Sequence, residues 1–311
     1  MIITDYSIVH YSNCILFYYI IYNKMGKCIF VVIVLTSLLL LFYTLREMFY
    51  QVKIKQELYK NLSTTKNGSK YIPKNIYQLV QDKTKINYLF QLNIDYIKRL
   101  NPTWNYILYD DNDMIDYIKT KYGIRMLNVY NMINPEYGAA KADFFRYLLM
   151  YKEGGVYLDI KSGMKYPLDE IISEDDEYIL SYWACNFQKK ILGNENGELQ
   201  QWHIICKPNH PYLKAVINNV INNILNYDIE KDGVGKIGVL KVTGPIIYTQ
   251  TIEPMLFKYN HKLYKTNEYI GLIYNNLYTN VFWLSHNMFG NKTNYKKLNT
   301  PIIINNNGVF E

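Results

Sequence analysis

The chain has 311 residues, enough for one large domain with appendages or for two small ones. Apolar residues make up 49% and charged residues 20%, the ordinary balance of a folded protein. The formal net charge of +7 is spread along the sequence, and Lys and Arg never gather into a stripe with interleaved aromatics, so no nucleic-acid partner is expected.

The diffuse positive field suits an anionic small substrate but does not require one. The surplus of Asn, Lys, Ile and Tyr is what AT-rich codons give. Four cysteines, Cys14, Cys28, Cys185 and Cys206, form no CxxC pair and no zinc spacing. Only an oxidising lumen would let Cys185 and Cys206 pair.

The first element is the uncharged run 28–45, whose 18 residues reach the length of a membrane-spanning helix. Lys24 and Lys27 precede it and Arg46, Lys53 and Lys55 follow, so the positive-inside rule sets no orientation. No small-residue cleavage site follows Leu45, which favours an anchor over a signal peptide. The apolar segment 15–22 is too short to span alone, and Met25 is an alternative start. Residues 53–70 are polar and lack apolar periodicity. The layout expected is a tail over 1–27 (cytoplasmic in one orientation), an anchor over 28–45, a stem over 46–70 and a folded domain over 71–311. Sequons at Asn61, Asn67 and Asn291 are about as many as this composition gives by chance, and weigh little for a lumenal domain.

Within the domain, 72–79 reads as a strand with Pro73 at its edge. Residues 89–100 have helical spacing and stop before the turn Asn101-Pro102. Residues 104–109 are aromatic and β-branched, hence a strand. Asp110-Asp111-Asn112-Asp113 then opens a helix over 114–121, where acidic residues cap the N-terminus better than they suggest a metal. Asn134-Pro135-Glu136 starts a helix that runs to Glu153, closed by Gly154. A strand over 156–160 follows, and the alternation argues for a mainly parallel sheet. Later come a helix over 212–225 after His210-Pro211, a loop over 232–235, a turn over 242–245, a helix over 246–255 and a strand-like stretch over 269–283.

The helix–turn–strand unit is the informative part. Asp143 and Arg146 are three residues apart, share a helix face and can pair. Asp159 arrives at the end of a buried strand, where α/β folds handle nucleotides and their phosphates. Ordinary explanations exist for each alone, a surface ion pair and a turn cap, but the ordered set favours a site. His286, a lone His after a strand, reads more readily as structural. Loop 188–201 has no readable code.

Ala140-Lys141-Ala142-Asp143-Phe144-Phe145-Arg146-Tyr147 with Gly154-Gly155-Val156-Tyr157-Leu158-Asp159 resembles the DxD-containing sugar-binding region of glycosyltransferase family 32. That family is related to yeast α-1,6-mannosyltransferases and to the catalytic domains of large clostridial glucosylating toxins. Ile72-Pro73-Lys74-Asn75-Ile76-Tyr77-Gln78, Asn101-Pro102-Thr103-Trp104 with Tyr109-Asp110-Asp111, and Thr243-Gly244-Pro245 resemble flanking signatures, so the likeness covers nearly all of 71–294.

The resemblance implies an α/β fold of the GT-A type, a Rossmann-like, mainly parallel sheet with helices on both faces, preceded here by the N-terminal transmembrane helix. It implies a retaining hexosyltransferase that uses a nucleotide-sugar donor and a glycan, lipid or protein acceptor, held in a Golgi-like or other endomembrane. Asp143, Arg146 and Asp159 would be catalytic. Ile76, Tyr77, Tyr157, Asp159 and Lys161 would bind the donor nucleotide. Asp159 and His286 are the candidate ligands for Mn²⁺ or Mg²⁺. One departure counts against a metal: the motif reads Asp159-Ile160-Lys161, with Lys in place of the second carboxylate. Lys161 either neutralises the diphosphate itself or turns outward and leaves a weakly held ion. A binding module that keeps the fold without turnover, and a membrane protein that binds no nucleotide, are the rival readings.

Overall fold

A computed structural model describes residues 32–46, 48–50, 52–53, 56, 58, 62, 69–183, 186–193, 195–274 and 295–304, with the side chains of 186–188 excepted. The chain divides into two compact units, Met1–Lys60 and Asn61–Glu311. In the first unit, among the described residues, helix α1 (Val32–Tyr50) is long and apolar enough to cross a membrane by length and composition, with a mean hydropathy of 1.8.

The second unit runs β1 (Asn75–Leu79), α2 (Tyr88–Leu100), β2 (Asn105–Tyr109), α3 (Asp111–Tyr122), α4 (Ile124–Asn131), α5 (Gly138–Glu153) and β3 (Gly155–Leu158). It continues with β4 (Gly163–Met164), α6 (Leu168–Ile171), β5 (Tyr178–Trp183), α7 (Asn186–Leu192), β6 (Glu198–Leu199) and β7 (His203–Cys206). Last come α8 (Pro211–Leu225), α9 (Ile229–Asp232), α10 (Gly235–Val242), α11 (Pro245–Ile252), β8 (Lys262–Tyr264) and β9 (Leu272–Ile273).

Seven strands form one sheet in the order β2-β1-β3-β7-β5-β6, with β8 beside β5. Its site-bearing part is parallel: Tyr77 of β1 sits opposite Ile107 of β2 and Tyr157 of β3. Beyond β3 the sheet takes β7 antiparallel, with Leu158 opposite His203, and β8 parallel to β5. The architecture is α/β with a parallel centre, as expected.

Helices cover both faces, which is why β3 and β1 from Ile76 to Leu79 are buried on both sides rather than on alternate residues. On one face Ile76, Val156 and Leu158 pack with Ile97 of α2, Trp104 and Trp202. On the other lie α5, α8 and α11, where the Tyr147 and Tyr248 rings stack at 5.6 Å. Helix α5 is buried on all sides from Asp143 to Tyr151. A helix so enclosed is normally apolar all round. Its two charged residues in that stretch therefore need partners inside the protein.

Local chemistry explains most boundaries. Asn87 caps α2 by accepting from the Leu89 amide at 2.8 Å. Asp110 and Asp113 close a capping box on α3, so these acids cap the helix as expected. His210 caps α8 through Nδ1. Other boundaries differ from expectation. Helix α5 begins at Gly138: Asn134 accepts from the Glu136 amide at 3.0 Å and its carbonyl from the Tyr137 amide at 2.9 Å, which closes a single turn ahead of the helix, while its own amide and Nδ2 donate to the Ile302 and Pro301 carbonyls. The helix expected over 246–255 stops as α-helix at Ile252 and finishes as a 3₁₀ turn. Between 267 and 273 the chain makes a 3₁₀ turn and the short β9, while 275–283 lie outside the described residues. The three sequon asparagines, Cys185 and His286 lie outside them too. Cys206 is a free buried thiol that donates to the Met150 carbonyl.

The turn into β3 depends on two glycines at positive φ, +64° at Gly154 and +96° at Gly155. A Cβ on Gly154 would stand 2.6 Å from Pro208 Cδ and from the Pro208 nitrogen. Replacing Gly154 by Ala is expected to lower the unfolding free energy by about 1–3 kcal/mol. Denaturant or thermal unfolding checks this, and an unchanged midpoint contradicts it.

Candidate active site

The cluster grows from the α5–β3 unit. Three-residue spacing puts Asp143 and Arg146 on the face of α5 that looks onto the carboxyl end of β3. Arg146 Nη2 lies 3.2 Å from Asp143 Oδ1 and 3.2 Å from Asp159 Oδ1. Its plane lies over the Tyr157 ring, with the guanidinium carbon 4.8 Å from the ring centroid. Arg146 Nη1 donates at 3.0 Å both to the Gln201 carbonyl and to Gln201 Oε1. Gln201 Nε2 in turn donates to Asp143 Oδ1 at 3.0 Å, and the Thr243 hydroxyl donates to Asp143 Oδ2 at 3.2 Å. The Tyr157 hydroxyl donates to Asp159 Oδ1 at 2.9 Å. Every charge in the cluster is thus paired and hydrogen-bonded, the condition for tolerating ions inside a protein.

The residues differ in access. Side chains of Asp143 and Arg146 are 5% and 6% exposed, whereas that of Asp159 is 22% exposed. Asp159 is the member that faces outward. Burial pushes the Asp143 carboxyl up to about 6, although Arg146 and the Gln201 and Thr243 hydrogen bonds favour its ionised form. Burial works against the Arg146 charge, but Asp159, Tyr157 and Asp143 outweigh it and hold its pKa above the ordinary value. Burial lowers the Lys161 ammonium, with Asp159 opposing and Arg146 adding to the shift.

Of the residues expected from sequence, Asp143, Arg146, Tyr157 and Asp159 are in mutual contact. Lys161 adjoins them: its Nζ sits 4.4 Å over the Tyr274 ring. Ile76 and Tyr77 do not reach the cluster with their side chains. Ile76 is a core residue on the opposite face of the sheet, because strand alternation turns it away from Tyr77. Tyr77 shares a face with Tyr157, but its ring is directed at Gly155 and Tyr109. Gln78 is the β1 residue that reaches the turn, donating from Nε2 to the Asp159 carbonyl at 3.1 Å.

Sequence reasoning missed Gln201, Gln78, Tyr274 and Tyr295. Burial followed by Asp143 raises the Tyr295 phenol, and burial followed by Asp159 raises that of Tyr274. Gln201 came from a stretch without a pattern, and only the pairing of β7 with β3 brings it to Arg146.

The donor set suits a divalent cation poorly. Both Asp143 oxygens are engaged, and Asp159 Oδ1 serves Arg146 and Tyr157. Among the described residues no group of three His, Cys, Asp or Glu is arranged to hold a metal ion. Mn²⁺ and Mg²⁺ ask for several hard oxygen ligands.

Residues 87–178 match the family described as "Glycosyltransferase sugar-binding region containing DXD motif". Among curated proteins, inositol phosphoceramide mannosyltransferase 3 of Schizosaccharomyces pombe is 26% identical over 147 residues, covering 47% of this chain and 35% of that protein. An initiation-specific alpha-1,6-mannosyltransferase of Candida albicans is 31% identical over 153 residues, covering 41% of this chain and 37% of that protein. The chain thus spans little more than a third of the length of these curated relatives. A solved structure, the PaToxG glycosyltransferase, aligns with a TM-score of 0.45 at 17% identity over 69% of this chain and 80% of that one. The matched family region takes in Asp143, Arg146, Tyr157, Asp159 and Lys161, and over it this chain resembles the glycosyltransferases of family 32.

Proposed function

We propose that this chain transfers a hexose from a nucleotide-sugar donor to an acceptor hydroxyl with retention of configuration. The observation that carries the reading is the buried guanidinium of Arg146 held between Asp143 and Asp159 at the carboxyl end of β3. In the reaction, the bond from the anomeric carbon to the diphosphate breaks and both electrons leave on the phosphate oxygen. The acceptor oxygen bonds that carbon, and its proton passes to the departing diphosphate. Asp159 accepts hydrogen bonds from donor hydroxyls, while Arg146, held from behind by Asp143, fixes its orientation and opposes its charge. Positions fixed before substrate arrives need no reorganisation as charge develops.

Mannose appears in the printed names of both relatives and is the first donor sugar to test. The acceptor is a glycan, lipid or protein hydroxyl. Helix α1 would hold the enzyme on an endomembrane of Golgi type.

Asp143→Asn and Asp159→Asn are each expected to lower donor turnover by about 10²–10³-fold, the usual loss when a preorganised electrostatic group is removed. Released nucleoside diphosphate measures this, and circular dichroism reports the fold. Activity within about twofold of the parent in both variants refutes the assignment.

A pH dependence follows from Asp143. Its folded pKa, about 6, lies above the ordinary 3.8, so its contribution to stability is full below the lower value and is lost as pH rises through the higher. Function runs the other way, because the pair with Arg146 needs the ionised carboxylate. Activity is therefore expected to fall as pH drops through about 6. A pH–rate profile that stays flat across that value contradicts the role of Asp143.

A further inference from the structure

We infer that Trp183 forms the floor of an acceptor subsite beside Asp159 and takes the C–H face of a polyol ring, such as a pyranoside or a cyclitol presents. This rests on the transferase reading and narrows its acceptor to a ring hydroxyl, as against the hydroxyl of a protein side chain.

The register of the sheet brings Trp183 to the site. Strands β3 and β5 both pair antiparallel with β7, so they run the same way and end at the same edge. His203 of β7 lies opposite Leu158, and its Nε2 is 2.8 Å from the Ser181 hydroxyl of β5. Asp159 stands one residue past that level and Trp183 two. Strands β1 and β2 lie on the other side of β3. Nucleotides bind outside the carboxyl ends of parallel strands, so the donor nucleotide falls to the β1 side of Asp159. The β5 side is left to the acceptor.

Tyr274 links Trp183 to the cluster. Its ring centroid lies 5.1 Å from that of Trp183, at an interplanar angle of 69°, and 5.3 Å from that of Trp202. Lys161 Nζ is 4.4 Å from the same ring, and the Ser162 hydroxyl donates to the Tyr274 carbonyl at 2.7 Å. The ring is therefore fixed to the turn that follows Asp159. One buried side chain ties the backbone under both rings. Gln200 Nε2 donates at 2.7 Å to the Tyr182 carbonyl, in the peptide bond to Trp183, and at 2.9 Å to Asn267 Oδ1. Asn267 Nδ2 donates onward at 2.7 Å to the Leu272 carbonyl, two residues before Tyr274.

The two tryptophans against Tyr274 differ in use. Trp202 is 5% exposed and gives its indole N–H to Gln200, whereas Trp183 is 39% exposed. An exposed aromatic alone is ordinary. This one is braced by a second ring at the ligand edge of the sheet, so little side-chain freedom is lost when a ligand covers it. A pyranose or cyclitol has a face of C–H groups and a rim of hydroxyls. The face can cover the indole while the rim stays free for polar partners and for attack on the donor. A peptide hydroxyl brings no such face.

The test is transfer by the full chain in detergent, with GDP-mannose and the UDP-hexoses as donors. Methyl α-mannopyranoside, myo-inositol and a Ser/Thr peptide are the acceptors. Product is expected on a ring acceptor and not on the peptide. Trp183→Ala should raise the KM for that acceptor about tenfold while the donor KM moves by less than about twofold. Trp183→Phe should restore most of the loss, and Trp183→Leu, apolar but not flat, should not. An acceptor KM within about twofold of the parent in both Trp183→Ala and Trp183→Leu, folded by circular dichroism, overturns the subsite and leaves the transferase reading standing. Transfer to the peptide in preference to both rings does the same. If no donor is consumed with any acceptor or with water, the transferase reading falls and the subsite with it.

Discussion

A guanidinium out of contact with water, shared between two carboxylates, is the constraint around which this domain is arranged. Taking ions from water costs several kcal/mol each, and only close pairing with full hydrogen bonding offsets that cost. Arg146 meets the condition through Asp143, Asp159, Gln201 and the Tyr157 ring, which come from a helix, the end of one strand and a connecting loop. Those elements must hold their relative positions or a buried charge is left without a partner, at a cost of about 3–5 kcal/mol. The same network that demands a defined fold also fixes two carboxylates before any substrate arrives. Such fixed polar groups suit catalysis better than they suit stability.

The surroundings sharpen this division. Asp143 is sealed behind Gln201 and Thr243, while Asp159 looks outward beside Lys161. Tyr157 lines the cluster with a ring that covers the Arg146 guanidinium and a hydroxyl that donates to Asp159. Two carboxylates against one buried guanidinium leave negative charge that donor hydroxyls can satisfy. The parallel arrangement of β2, β1 and β3 puts all of this at the carboxyl ends of the strands, the usual ligand edge of such sheets.

Much of this was legible in the sequence because its signals were local. The three-residue interval from Asp143 to Arg146, the Gly154-Gly155 turn and the apolar run into Asp159 each act within a few residues. So does the Asp110 capping box. The illegible parts were set at long range. Asn134-Pro135-Glu136 has the form of a helix start, but it closes a single turn tied to Pro301 and Ile302, and the helix begins after it at Gly138. Helices α4 and α10 have no side-chain cap to announce them. Gln201 gives no sign of its role, since its place between Asp143 and Arg146 exists only once β7 pairs with β3. Ile76 was read from a motif, whereas strand alternation assigns its side chain to the core and gives the reach to Gln78.

The most direct measurement is a crystal structure of the full chain bound to an intact, non-hydrolysable nucleotide sugar. The account predicts that the sugar ring lies against Asp159, with Arg146 and Asp143 directly behind it. A donor bound away from that edge of the sheet, with the Asp143–Arg146–Asp159 cluster untouched, would contradict it.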